Sequence, residues 1–130
     1  METQLRKALV AWLSADPLLS AAFNIIAEEA PSRTAPPWLG LVASASSDWS
    51  AKDRRGREVR VALELHTRGE EAGETGALAE MVQDRIEALP GAQDGFVVVT
   101  TTFLRARAEQ RARNTRAVLI EYRFRLLETA

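Results

Sequence analysis

The sequence predicts an α+β domain: an antiparallel sheet with two helices packed on one face, in the order α-β-β-α-β-β. Three observations carry that prediction. REVRVALELHT, residues 57 to 67, alternates Val59, Val61, Leu63 and Leu65 with Glu58, Arg60, Ala62, Glu64 and His66, the period-two pattern of a strand with one buried face. Two other segments place apolar residues every three or four positions, as a helix with one buried face does. Hairpin connections between consecutive strands favour antiparallel pairing and leave both helices on the apolar side of the sheet.

The elements follow in order. Leu5, Ala8, Leu9, Trp12 and Leu13 share one face of a helix from about Thr3 to Ala15. Asp16 before Pro17 has the form of an N-cap and a first-turn proline, restarting a short helix through Leu18, Leu19 and Phe23. Pro31, Pro36 and Pro37 mark a connection, because proline lacks a backbone donor and restricts the residue before it. Trp38 to Ala43 then enters a strand, followed by the strand at 57 to 67. Gly69, Gly73 and Gly76 break the chain before a second helix, whose stripe of Ala77, Leu78, Met81, Val82, Ile86 and Leu89 ends at Pro90 and Gly91. Phe96 to Leu104 and Val118 to Leu127 read as two more strands, the last with Val118, Ile120, Tyr122, Phe124 and Leu126 on one face. No internal boundary interrupts this series, so residues 1 to 130 read as one domain.

Composition narrows the function classes. A chain of 130 residues with 46% hydrophobic and 27% charged residues is an ordinary globular composition. At that length a domain buries about 65 to 70% of the surface its unfolded chain exposes. The absence of cysteine excludes disulfides, zinc–thiolate sites and cysteine nucleophiles. The apolar run Ala8 to Leu13 is too short to span a membrane, and its flanking charges fit an amphipathic helix rather than an export signal. A formal net charge of −1 argues against coating nucleic acid by bulk charge.

Enzymatic chemistry finds little support in the motifs. His66 is the single histidine and falls on the polar face of its strand, where a solvated role is the simpler reading. Glu28 with Glu29, and Glu70 with Glu71, are adjacent acids and not a metal-ligand pattern. GEEAGETG, residues 69 to 76, precedes a helix as a phosphate loop would, but it lacks the Gly-Lys-Ser/Thr ending and its glutamates repel anions. No Gly-x-Ser-x-Gly elbow occurs. The sequence therefore predicts no catalytic residue, cofactor or metal.

Two charged connections stand out. SSDWSAKDRRGR, residues 46 to 57, carries Trp49, Arg54, Arg55 and Arg57; an indole in that setting is either tucked against the domain or covered by a partner. RARAEQRARNTRA, residues 105 to 117, sets Arg105, Arg107, Arg111, Arg113 and Arg116 against Glu109 alone. Read as a connection, it is a solvated hairpin loop, a protein interface or a nucleic-acid contact. It contains no aromatic residue on which bases could stack, and arginine is equally favoured at protein interfaces. Both segments lie between strands, and hairpin arms could carry them to the same end of the domain.

The order of these segments resembles the tail-terminator, or tail-completion, proteins of long-tailed bacteriophages and gene transfer agents. The resemblance covers almost the whole chain. It rests on the helix ending LSADPLLSAAF, on IIAEEAP, the proline-led PPWLGL and DWSAKDRRGREVRVALELHTR, then on a helix like GALAEMVQDRIEALPGA and a last strand like TRAVLIEYRFRLLE. Asp48 to Arg68, with its Asp-Trp-Ser turn, glycine and alternating strand, is the most specific part. The chain departs from the family pattern at Trp38, where tyrosine is common, and at AEQRARNT, where an Asp/Asn-Gly type turn is common.

The resemblance implies a structural, non-enzymatic subunit. Several copies, six in related tails, would form a ring on the head-proximal end of the tail tube, stop tube polymerisation and offer a docking surface to the head–tail connector. The partners implied are further copies of the chain, the tube protein, the connector, and DNA passing through the lumen without sequence-specific reading. The locale implied is the bacterial cytoplasm during assembly, then the particle tail. Trp49, Arg54, Arg55, Arg57, Arg105, Arg107, Arg111, Arg113 and Arg116 are the candidate interface residues. A small nucleic-acid-binding module using the arginine-rich segment is the alternative.

Overall fold

A computed structural model describes residues 1–69 and 72–129. Helix α1, Glu2–Ser14, turns Leu5, Leu9 and Leu13 into the core. Burying each contributes about 2 kcal/mol. It ends at Ser14, and the Asp16 carboxylate accepts hydrogen bonds from the backbone of Leu18 at 2.9 Å and Leu19 at 3.4 Å, so Asp16 and Pro17 open α2, Pro17–Ala22, as their order predicts. Strands β1, Ile25–Ala27, β2, Trp38–Asp48, and β3, Gly56–Arg68, come next. Helix α3, Ala72–Glu87, and the hairpin of β4, Phe96–Arg111, and β5, Thr115–Glu128, complete the chain.

The five strands form one sheet in the order β1-β2-β3-β5-β4. All pairings are antiparallel except β1 with β2, which runs parallel, so the sheet is mixed and not purely antiparallel as expected. The element order is α-α-β-β-β-α-β-β in place of the expected α-β-β-α-β-β. Strand β1 escapes sequence reading because three residues are too few to show a period, and its pairing with Trp38 to Gly40 comes from outside the segment. Three helices, not two, contribute to the layer: α1, the short α2 through Leu19, and α3 through Ala79, Val82 and Ile86.

The core lies between these helices and one face of the sheet, where Val59, Val61, Leu63 and Leu65 of β3 meet Ile120, Tyr122, Phe124 and Leu126 of β5. The Tyr122 hydroxyl donates to Glu87 of α3 at 2.7 Å, and burial together with that carboxylate raises its pKa. Trp12 and Arg85 tie α1 to α3. The indole donates to the Arg85 carbonyl at 2.7 Å, the guanidinium donates to the Trp12 carbonyl at 2.9 Å, and it stacks 3.3 Å from the ring centre. Among the described residues no helix covers the opposite face of the sheet.

Candidate assembly surface

The turn between β2 and β3 is shaped by its backbone. Gly56 lies so close to this turn that a Cβ there would stand 2.3 Å from the Trp49 carbonyl oxygen and 2.8 Å from that of Leu126. Glycine is required by close approach. The Trp49 amide donates to the Gly56 carbonyl at 3.0 Å, and the Ser50 hydroxyl donates to Asp48 at 2.7 Å while accepting from the Gly56 amide at 3.1 Å. That hydroxyl, with Arg57 3.5 Å from the carboxylate, holds Asp48 below its ordinary pKa. Trp49 is half-buried, its ring 5.5 Å from the Arg125 guanidinium, which realises the tucked arrangement. Arg54 and Arg55 make no side-chain hydrogen bond or ion pair among the described residues. They line, with Lys52 and Glu128, an open depression of about 430 Å³.

The arginine-rich segment is not a loop. Strand β4 continues to Arg111 and β5 begins at Thr115, so only Ala112, Arg113 and Asn114 turn the chain. Arg113 and Asn114 sit at φ of 60° and 57°, consecutive left-handed positions of a tight hairpin turn. Arg105 meets Glu121 across the strands at 2.8 Å, and that carboxylate raises the Arg105 pKa. Arg111 bridges Glu64 at 3.0 Å and Glu109 at 3.1 Å. Hydrogen bonds from Arg107 and then Arg111 hold Glu109 below the usual carboxylate range. Arg116 donates to the Gly69 carbonyl at 3.3 Å.

The two arginine-rich segments occupy opposite ends of the sheet. Gly56 pairs with Leu127, whereas Arg68 pairs with Thr115. The length of β3 therefore separates the β2–β3 turn from the β4–β5 tip by about 40 Å. The expectation of a shared end fails because hairpins joined through β3 and β5 must leave the sheet in opposite directions.

Between these ends runs the helix-free face, which the sequence shows only as the polar half of each alternation. It carries six arginines, Arg60, Arg123 and Arg125 with Arg105, Arg107 and Arg111 of the hairpin, and Glu58, Glu64, Glu109 and Glu121. Arg60 stands directly across from Arg123. Glu58 serves two neighbours at once, Arg125 at 3.1 Å and Arg123 at 3.8 Å. Arg60 is exposed and has no hydrogen bond or ion pair among the described residues. At the corner near Trp38 the chain itself covers the face: a Cβ on Gly40 would stand 2.8 Å from the Glu29 carbonyl. His66 lies there edge-on to Trp38 with ring centres 5.1 Å apart. Burial lowers its pKa, Arg111 adds to that, and Glu64 opposes it. Among the described residues no group of three or more His, Asp or Glu side chains is placed to hold a metal ion, and no helix is long and apolar enough to cross a membrane.

A fold built on charged hairpins and an uncovered sheet face offers surfaces rather than a cleft. A family model described as Tail completion protein gp17 matches residues 7–127. The chain belongs to that family. Tail completion is a structural role in a virion, and the resemblance seen in LSADPLLSAAF and in Asp48 to Arg68 agrees with the match. The fold is also that of a chain in the solved "Virion of native gene transfer agent (GTA) particle", with a TM-score of 0.79, 23% identity, and coverage of 97% of this chain and 96% of that one. No curated protein matches the chain. In this tail-completion fold the candidate residues divide into two groups: Trp49, Arg54, Arg55 and Arg57 at one end, and Arg105, Arg107, Arg111, Arg113 and Arg116 along or beside the far hairpin.

Proposed function

We propose that this chain is a tail-terminator subunit, six copies of which form a ring on the head-proximal end of a tail tube. The ring stops addition of tube subunits and gives the head connector a surface to dock on. The observation that carries this reading is the family match spanning residues 7–127. The geometry supports it: a ring needs unlike surfaces on opposite flanks of each subunit, and this sandwich has a helical side and a bare sheet side. Arg54 and Arg55, which make no side-chain hydrogen bond or ion pair among the described residues, are the residues at the β2–β3 end for contact with the tube or the connector. No catalytic step is assigned. DNA passes the ring without being read. A nucleic-acid-binding module is the weaker reading, because Arg105, Arg107 and Arg111 already hold carboxylate partners.

Electron microscopy of particles from a strain lacking the gene tests the reading. Overlong tails, or finished tails and filled heads that fail to join, are the expected result. Joined particles with tails of normal length would overturn it.

A further inference from the structure

The helix-free face and the outer side of α3 have opposite character. Arg68 shares the sheet face with the six arginines named above, and these seven oppose four glutamates, a net charge of +3. The exposed side of α3 carries Glu80 and Asp84 four residues apart, with Glu87 beyond them, and no base. Arg85, the single base in the helix, points away to Trp12. Glu80 and Asp84 have no ion-pair partner among the described residues, as Arg60 has none.

The two surfaces also agree in shape. Ala43, Ala45 and Ala62 floor a shallow depression of about 210 Å³ on the sheet face, rimmed by Arg60, Glu121 and Leu104. Gly73, Gly76 and Ala77 leave the outer side of α3 low, and a Cβ on either glycine would meet nothing within 4 Å. Small residues on both sides let backbone approach backbone. Around the depression, Arg60, Arg123 and Arg125 have one carboxylate between them, Glu58. Like charges directly across a strand pair destabilise it. A carboxylate entering beside Arg60 relieves that repulsion.

We infer that the helix-free sheet face of one copy receives the outer side of α3 from the next copy, with Glu80 and Asp84 pairing to Arg60 beside the alanine depression. This rests on the ring reading and assigns its subunit contact. The surfaces lie on opposite sides of the sandwich, so the contact is head-to-tail. It propagates around a ring instead of closing as a two-fold dimer.

Native mass spectrometry at low ionic strength, with Arg60→Glu and Asp84→Arg proteins, tests it. Each variant alone loses self-association by at least about tenfold, the expected result of placing like charges together. Mixing the two restores rings, because every junction in an alternating assembly then pairs opposite charges. Recovery in the mixture also demonstrates that both proteins are folded. Rings formed normally by either variant alone, or no recovery on mixing, would overturn the contact while wild-type rings leave the terminator reading intact. If the wild-type chain forms no ring in solution or on tails, and tails from the deletion strain end normally, the ring reading fails and takes this contact with it.

Discussion

The β2–β3 turn and the β4–β5 hairpin are both arginine-rich, and they handle charge in opposite ways. At the turn the backbone is fixed by Gly56 and by Ser50, while Arg54 and Arg55 hold no side-chain hydrogen bond or ion pair among the described residues. Along the hairpin the cross-strand register sets Arg105 beside Glu121 and brings Arg111 to Glu64, so in the denser run of arginines Arg105, Arg107 and Arg111 already hold carboxylates. Local charge density thus misidentifies the available charge. What decides availability is whether pairing brings a carboxylate from a distant strand.

The largest expected effect breaks the turn. Gly56→Ala forces a methyl group against the Trp49 and Leu126 carbonyls and costs about 3 kcal/mol. Urea denaturation reads this directly, and a variant as stable as wild type would mean the turn is not held by close approach. A smaller effect sharpens the contrast between the two segments. Arg111→Ala strands Glu64, whose side chain is only 13% exposed, and costs about 1 kcal/mol. Arg55→Ala leaves the denaturation midpoint where it was. Equal midpoints for both variants would show that the hairpin arginines are as free as those of the turn.

The smallest effect is a pH dependence. His66 has a folded pKa below its ordinary value of 6.5, so over the interval between the two the unfolded chain binds more protons than the folded one. Stability therefore rises with pH across that interval and levels off above 6.5. Stepwise thermal denaturation of wild type and His66→Gln checks it: the variant loses this part of the slope, and identical slopes would remove His66 as its source.

Much of the fold was legible because it depends on local periods and local chemistry. The alternation at residues 57 to 67 and 118 to 127, the leucine stripe of α1 and the Asp16–Pro17 cap each specify their element within a few residues. Strand β1 was hidden because its partner lies across the proline-rich connection, and the second half of β4 with the first three residues of β5 was hidden because an arginine-rich strand resembles a charged loop. Arg60, Arg123 and Arg125 were visible only as polar alternates. Nothing local distinguishes a wet face from one awaiting a neighbour.

By itself the sequence determined which residues face inward, where α1 and α2 begin and end, and that the chain belongs with tail-completion proteins; α3 begins at Ala72, through Gly73 and Gly76 that were expected to break the chain before it. Only the tertiary structure decided that the two arginine clusters stand at opposite ends of the sheet, and which arginines already hold carboxylates. The physical reason is that burial is written in each segment's own period. Charge pairing and the direction of a hairpin depend on register between strands as much as 67 residues apart, such as Glu58 and Arg125, and no short window of sequence contains both partners.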